Sequence, residues 1–258
     1  MMRLAADLHI HTVLSPCASR DMRPRAIVEE AARRGLGVIA VCDHNSAGNV
    51  EAVIAAAAAR EQGPLVLPGI EITTAEEVHV LGLFPTSTEA RAAGNEVSAG
   101  LPAWQPFAPR TTAASPGSGV RQPEQELVDA EGVVIGIEPK MLAAASRFAL
   151  SEAVDLIHRH GGLAVAAHMD RRSFSVPGQL GFLPPDVAFD GLEISAAGAA
   201  RGRAAAFAAH GLPLLTSSDA HFLEDIGSSC TVLEVDRPCF EELAMAVRGR
   251  AGRGCTIA

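Results

Sequence analysis

Two histidines stand two residues apart in Asp7-Leu8-His9-Ile10-His11-Thr12, and an extended strand would turn both imidazoles to one side, where they can share a metal ion. Alone, such a pair also fits an ordinary polar strand end. The chain repeats the device, however. The apolar run 38–42 ends in Asp43-His44, Glu71 interrupts Pro68-Gly69-Ile70-Glu71-Ile72, and His79 sits inside Val78-His79-Val80-Leu81. Further on, the run 163–167 ends in His168, and the run 214–218 ends in Asp219-Ala220-His221. A carboxylate or imidazole set into an apolar strand is costly unless it is paired or bound to metal. Asp43 alone also suits a helix cap, but five apolar runs that each carry a ligand type point to a shared centre of divalent ions. His158, His160 and His210 fall in helical segments without such neighbours and are expected at the surface.

The elements that must position these residues follow from periodicity. Short apolar runs at 3–10, 38–42, 65–72 and 78–84 alternate with helical patterns at 25–35 and 50–61, which predicts strand and helix units building a parallel sheet. Ligands at the carboxyl ends of such strands would meet at the mouth of the sheet. Pro24 suits the first turn of its helix, where a missing N–H costs nothing. After residue 150 the rhythm returns: Ser151 as a helix cap with Glu152 behind it, strands at 163–167, 191–195, 214–217 and 230–235, a helix at 199–210, and a last helix opened by Pro238.

Between the halves, residues 88–126 hold a Pro/Gly/Ser stretch without period, and Leu127-Val128 and residues 133–137 flank Asp129-Ala130-Glu131-Gly132 as a small hairpin. The chain therefore reads as a single domain over 1–258 with an irregular insertion at about 88–150, either a lid over the site or a disordered excursion. A length of 258 residues suits one α/β barrel better than two ordinary domains.

Composition narrows the function classes. A net charge of −9 offers no basic face for the phosphates of an extended duplex, whereas carboxylate ligands loaded with cations would draw an anion to the metals alone. A small phosphorylated molecule or the end of a short chain is the expected partner. The five cysteines, Cys17, Cys42, Cys230, Cys239 and Cys255, are widely spaced and include no CxxC, so neither a disulfide framework nor a zinc ribbon is expected. With no apolar leader and no stretch approaching a membrane span, a cytoplasmic protein is expected.

Taken in order, His9-x-His11, Asp43-His44, Glu71, His79, His168 and Asp219-x-His221 resemble the motifs of the polymerase and histidinol phosphatase family, the PHP domain. The resemblance covers nearly the whole chain outside the insertion. It implies an α/β fold, a distorted (β/α)7 TIM-like barrel of seven strands and seven helices, with a metal cluster at the carboxyl ends of the strands. Its members include histidinol phosphatases, nucleotide phosphoesterases, short-oligonucleotide exonucleases and polymerase-attached domains.

Carried over by position, the resemblance implies that His9, His11, Glu71 and Asp219 hold one ion, that Glu71 bridges to a second held by His79 and His168, and that His44 and His221 take a third. Members commonly complete the third site with an Asp or His soon after the first motif. Here the loop reads Ser15-Pro16-Cys17-Ala18-Ser19-Arg20-Asp21, and Cys17 is the nearest candidate. Two or three ions of zinc, manganese or iron suit such mixed ligands. Two ions bridged by Glu71 would lower the pKa of a shared water and polarise phosphoryl oxygens, so no serine or cysteine nucleophile is needed.

The implied reaction is hydrolysis of a phosphate ester, either a small-molecule monoester or the 5′-terminal nucleotide of a short oligonucleotide, with Glu71, Asp219 and His221 at its centre. Arg171, Arg172 and Arg20 are candidates to hold the phosphate, with solvated loop arginines as the alternative. Asp7 and Asp43, beside ligands, are candidates to orient imidazoles. Two other classes fit less well. An amidohydrolase-type deaminase or amidase often bridges its metals with a carboxylated lysine, and the one lysine, Lys140, lies in a Glu-Pro-Lys turn. A non-catalytic metal-binding module would be expected to have lost ligands, and only the Cys17 position departs from the family pattern.

Overall fold

The structure, a computed structural model, describes residues 1–104 and 124–257. The strand β1 (Met2–Ile10) is followed by helix α1 (Pro24–Arg33), β2 (Val38–Val41), α2 (Val50–Ala58), β3 (Leu65–Thr73), β4 (His79–Leu83) and α3 (Ser87–Ser98). A two-stranded ribbon, β5 (Glu126–Val128) and β6 (Val134–Ile137), comes next. The second half runs α4 (Leu150–Arg159), β7 (Leu163–Ala166), α5 (Val176–Leu180), β8 (Gly191–Ser195), α6 (Ala196–Ala200), α7 (Ala204–Phe207), β9 (Leu214–Ser217), β10 (Thr231–Val235), α8 (Phe240–Val247) and β11 (Gly254–Ile257).

Nine strands form one sheet in the order β11-β10-β1-β2-β3-β4-β7-β8-β9. The end of β1 meets the segment after β9 through a parallel bridge between Ile10 and Ala220, with the His11 amide donating to the Ala220 carbonyl at 3.0 Å and the Ala220 amide to the His9 carbonyl at 3.2 Å. This bridge bends β1, β2, β3, β4, β7, β8 and β9 into a barrel, and β10 and β11 extend the sheet antiparallel from the outer edge of β1. The α/β barrel expected from the sequence is the observed fold, and it is distorted.

The distortion is local and has a plain cause. β4 runs antiparallel to both β3 and β7, against the expected all-parallel arrangement. Only a tight turn joins β3 to β4, with the Thr74 amide on the Val78 carbonyl at 2.8 Å and Glu77 at a φ of 59°. A parallel return needs a crossover of a dozen or more residues. As a result His79 opens β4 at the same end of the barrel where the parallel strands finish. The expected helix at 199–210 is broken into α6, α7 and a 3-10 turn, with Gly202 at a φ of 67° between them. Ser151 lies inside α4 instead of capping it, and the Glu152 carboxylate takes the Ala149 amide at 2.9 Å.

Side chains alternate about the sheet. One face of each strand packs outward against the helices, where Ile39, Val41, Ile70, Ile72, Val80 and Ala166 join the buried residues of α1 to α4. The other face fills the barrel with Leu8, Ala40, Leu67, Leu81, Val165 and Leu215, and α8 closes the lower end with Leu243, Ala246 and Val247. Glu71 shares its strand face with Leu67, and His79 with Leu81, so polar groups continue this inner stack at its upper end.

The insertion is more regular than expected at its start. α3 occupies 87–98 and buries Ala90, Ala93, Gly94 and Val97, a helical spacing of apolar positions, with the Thr86 hydroxyl accepting from the Glu89 amide. The expected hairpin is present as β5 and β6. Asn49 fastens it beside the site, donating to the Glu126 carbonyl and the Thr12 hydroxyl and accepting from the Val128 amide, each at 3.0 Å. The lid expectation rests largely on residues 105–123, which lie outside the described residues. Among the described residues no helix is long and apolar enough to cross a membrane.

Candidate metal centre

Glu71, fully enclosed near the top of β3, is the hub of the site. Its Oε1 lies 2.8 Å from His79 Nδ1, 3.3 Å from His168 Nε2 and 3.4 Å from His9 Nε2, and its Oε2 lies 3.0 Å from His44 Nδ1 and 3.4 Å from His11 Nε2. Five imidazoles from four strand ends thus converge on one carboxylate. Asp219 completes the group, its Oδ1 lying 3.3 Å from His9 Nε2 and 3.2 Å from His11 Nε2.

The separations fit metal coordination better than hydrogen bonding. His9 Nε2 and His11 Nε2 face each other at 3.2 Å, and each lies 3.2–3.4 Å from Asp219 and Glu71 oxygens. Four ligand atoms set about 2.0–2.1 Å from a tetrahedral zinc are separated by about 3.3 Å. Glu71 Oε2, His44 Nδ1 and His168 Nδ1 are also buried without a hydrogen-bond partner, the condition that a bound cation would relieve for the first two. The donor set therefore fits divalent metal. Three overlapping groups, His9-His11-Glu71, His44-Glu71-His79 and His11-His44-His221, each bring ligand atoms within 4.8 Å of one another.

Supporting residues decide which ring nitrogen faces inward. Nδ1 of His9 lies 3.2 Å from both Glu193 oxygens, and Nδ1 of His11 lies 2.9 Å from the Ser15 hydroxyl, which itself donates to Asp43 at 2.6 Å. His221 Nδ1 donates to the Asp219 carbonyl at 2.9 Å. All three imidazoles are thereby left with Nε2 toward the centre, the tautomer a metal requires. Glu193 also accepts from the His168 amide at 3.0 Å, tying β8 to the end of β7. It was not singled out in the sequence, although it interrupts an apolar strand just as Glu71 does.

Asp43 reaches the His11 ring through the Ser15 hydroxyl, while also taking the Thr12 amide and hydroxyl at 2.7 Å each. Asp7 departs from expectation. It orients no imidazole, and instead accepts from the Ser218 and Gly227 amides at 3.0 and 2.8 Å, anchoring the loop that carries Asp219. Burial raises its pKa to about 6, against the opposing pull of those hydrogen bonds. His168 and Asp219 both sit at positive φ, 31° and 53°, a strained backbone that side chains with a functional constraint can hold.

Burial lowers and neighbouring carboxylates raise the imidazole pKa values, so without metal the cluster is divided. Asp219, Glu193 and Glu71 overcome burial at His9, which is raised well above its ordinary value, whereas burial and the neighbouring His221 hold His11 well below. Glu71 is held well below the usual carboxylate range, its burial being outweighed by His79, His9 and His44.

Cys17 meets the cluster where the sequence placed it, its Sγ 3.1 Å from His221 Nε2. Burial pushes the thiol up, but hydrogen bonds from His221 and His44 bring it down to about 7. A cavity of about 450 Å³ opens over the centre, lined by Cys17, His44, Glu71, His79, His168 and Asp219 and, at one wall, by Arg171, Arg172 and Phe174. Arg171 holds Asp219 Oδ2 at 2.6 Å. Arg20 is not brought to this wall: the turn from Ser15 to Met22 buries Met22 and leaves Arg20 exposed to solvent. His158 and His160 pair with Asp190 and Glu96 away from the centre, at 2.9 and 2.7 Å. Lys140, in the insertion, gives its Nζ to the Leu101 carbonyl at 3.1 Å and is no bridge for metals.

Known proteins are similar in sequence and in fold. Residues 198–251, which include Asp219 and His221, match the family model described as PHP-associated. A stretch of 81 residues, 30% of the chain, is 38% identical to a 5′-3′ exoribonuclease of Haemophilus influenzae and spans 27% of that protein. The fold is similar to that of the lesion-specific endonuclease PfuEndoQ of Pyrococcus furiosus, with a TM-score of 0.70 and 20% identity over 98% of this chain and 58% of the endonuclease. A complex of Endonuclease Q with a 27-mer duplex carrying an abasic lesion matches with a TM-score of 0.67 and 19% identity, over 98% of this chain and 58% of that chain. A protein from Bifidobacterium adolescentis assigned as a metal-dependent phosphoesterase matches with a TM-score of 0.54 and 21% identity, over 84% and 87% of the two chains. A family model over residues 198–251 thus shows a likeness to PHP-associated sequences, and the solved structures share the fold over nearly the whole chain.

Proposed function

We propose that this protein is an enzyme, a metal-dependent phosphoesterase that hydrolyses a phosphomonoester of a small metabolite or nucleotide, or the terminal ester of a short oligonucleotide. The observation that carries the reading is the Glu71 carboxylate, buried among five imidazoles within 3.4 Å. Divalent ions held there by His9, His11, Asp219, His79 and His168 would supply an activated water and charge for phosphoryl oxygens. His44, His221 and Cys17 are the candidates for a further ion.

The chain's own residues do the rest. Glu193 and Ser15 hold His9 and His11 by their Nδ1 atoms, so the inner face stays rigid while a substrate is turned over. Arg171 keeps one arm on Asp219 and stands with Arg172 on the cavity wall, where both can take a phosphate oxygen. The similar exoribonuclease and endonucleases favour a nucleotide ester. They also keep a duplex among the substrates to be tested, against the expectation drawn from the net charge of −9.

The test uses protein purified without chelator, stripped, and reloaded separately with zinc, manganese or iron(II). Phosphomonoesters, short 5′-phosphorylated oligonucleotides and a lesion-bearing duplex are then offered. Hydrolysis that requires metal and is lost in Glu71→Gln is expected. Metal-independent hydrolysis, or none of any ester with any metal, would refute the proposal.

A further inference from the structure

Phe174 is an unexpected residue for the wall of a polar cavity. Its side chain is among the exposed large apolar groups, 41% accessible, and it lines the same cavity as Glu71, His79 and Asp219. One face of its ring stacks on His79, with centroids 4.6 Å apart and planes 17° from parallel. The backbone is set with care: Phe174 sits at a φ of 60°, unusual for a bulky side chain, and its carbonyl accepts from the His79 amide at 2.8 Å. Next to it, the Ser175 hydroxyl donates to the Arg171 carbonyl at 2.6 Å and accepts from the Gly178 amide at 3.0 Å, closing the loop from Arg171 to Phe174 on itself. Strain of this kind persists where the surroundings over-determine it, and here they hold a phenyl ring half in water beside the two arginines.

We infer that Phe174 is a stacking platform for a nucleobase, or an equally planar aromatic group, of an ester whose phosphate lies at the Glu71 centre. This rests on the phosphoesterase reading and adds the leaving group to it. Among the described residues the ring is the one aromatic carbocycle on the cavity lining, whose other members are Cys17, histidines, acids, arginines and Ser173. A sugar phosphate or glycerol phosphate offers only a small, non-planar, hydroxyl-bearing surface to lay on it. A base has one on either side, and aromatic stacking accepts any base without reading its edges. A cavity of about 450 Å³ also falls within the range of small-molecule sites.

The test compares adenosine 5′-monophosphate with ribose 5-phosphate, which share sugar and phosphate and differ by the base. Metal-loaded wild type is expected to prefer the nucleotide. Phe174→Ala is expected to lose about 10- to 100-fold in kcat/KM on the nucleotide and clearly less on ribose 5-phosphate, with Phe174→Trp restoring the preference. Equal losses on both esters would overturn the inference and leave Phe174 as a prop for His79. So would a wild type with no preference for the base. If wild type hydrolyses neither ester, the phosphoesterase reading fails on these substrates and the platform is read from calorimetric binding of adenosine 5′-monophosphate to the metal-loaded proteins. Weaker binding by Phe174→Ala than by wild type then supports the platform, and equal affinity or no binding by wild type overturns it.

Discussion

Both carboxylate oxygens of Glu193 lie 3.2 Å from Nδ1 of His9, on the side of the ring that faces away from Glu71 and Asp219. Such a partner fixes the ring and makes its other nitrogen a better donor to metal, and its loss typically costs about 10- to 100-fold in affinity or activity. Glu193→Ala is therefore expected to weaken metal binding by that order while His9 and His11 remain in place. Titration of the stripped protein with zinc, followed by calorimetry, measures it; wild-type affinity in the variant would show that Glu193 only joins β8 to β7.

Ser15 stands between His11 and Asp43, so Ser15→Ala removes the acceptor of the imidazole and a donor to a buried carboxylate at once. A lost partner for a buried polar group costs about 1–3 kcal/mol. The expected outcome is a lower denaturation midpoint in urea together with weaker metal binding. Ser15→Thr, which keeps the hydroxyl, should restore much of both. A variant as stable as wild type would show that water replaces the hydroxyl.

Cys17 gives a prediction with a pH axis. In metal-free protein the thiol, ordinarily near 9.0, titrates at about 7, because the hydrogen bonds from His221 and His44 outweigh its burial. A lower pKa means thiolate gained as pH rises through about 7, so alkylation by iodoacetamide should reach half its plateau near there, and bound metal should suppress it. Cys17→Ala is expected to lose one ion per chain without loss of the ions at Glu71. Cys17→Asp should keep the count and move the preference from zinc toward manganese, since a carboxylate is a harder ligand than a thiolate. Equal metal content in wild type and Cys17→Ala, measured under reducing conditions, would remove Cys17 from the site.

The site was legible where a polar residue breaks an apolar strand. Glu71, His79, His168 and Asp219 all carry that signal, and all lie in the cluster. Glu193 carries it too, inside the run 191–195, but a lone acid in a strand that was read only for its apolar pattern does not announce a partner 184 residues away. Arg20 shows the reverse: a plausible residue type in a nearby loop, turned outward by the burial of Met22, which no local pattern reveals.

In the fold, the order of elements followed periodicity, while direction and continuity did not. The tight turn between β3 and β4 forbids a parallel return, and Gly202 at positive φ divides a segment whose alanines all favour helix. α3 lay hidden because the Pro/Gly/Ser content beyond residue 100 dominates a window that begins with four well-spaced small or apolar residues.

The central claim, that Glu71 joins two divalent ions, is tested most directly by anomalous scattering from crystals of protein loaded with zinc or manganese, recorded above and below the metal edge. The account predicts at least two peaks, one in reach of His9, His11 and Asp219 and one in reach of His79 and His168, with both in contact with the Glu71 carboxylate. A single peak, or peaks that do not touch Glu71, would contradict it.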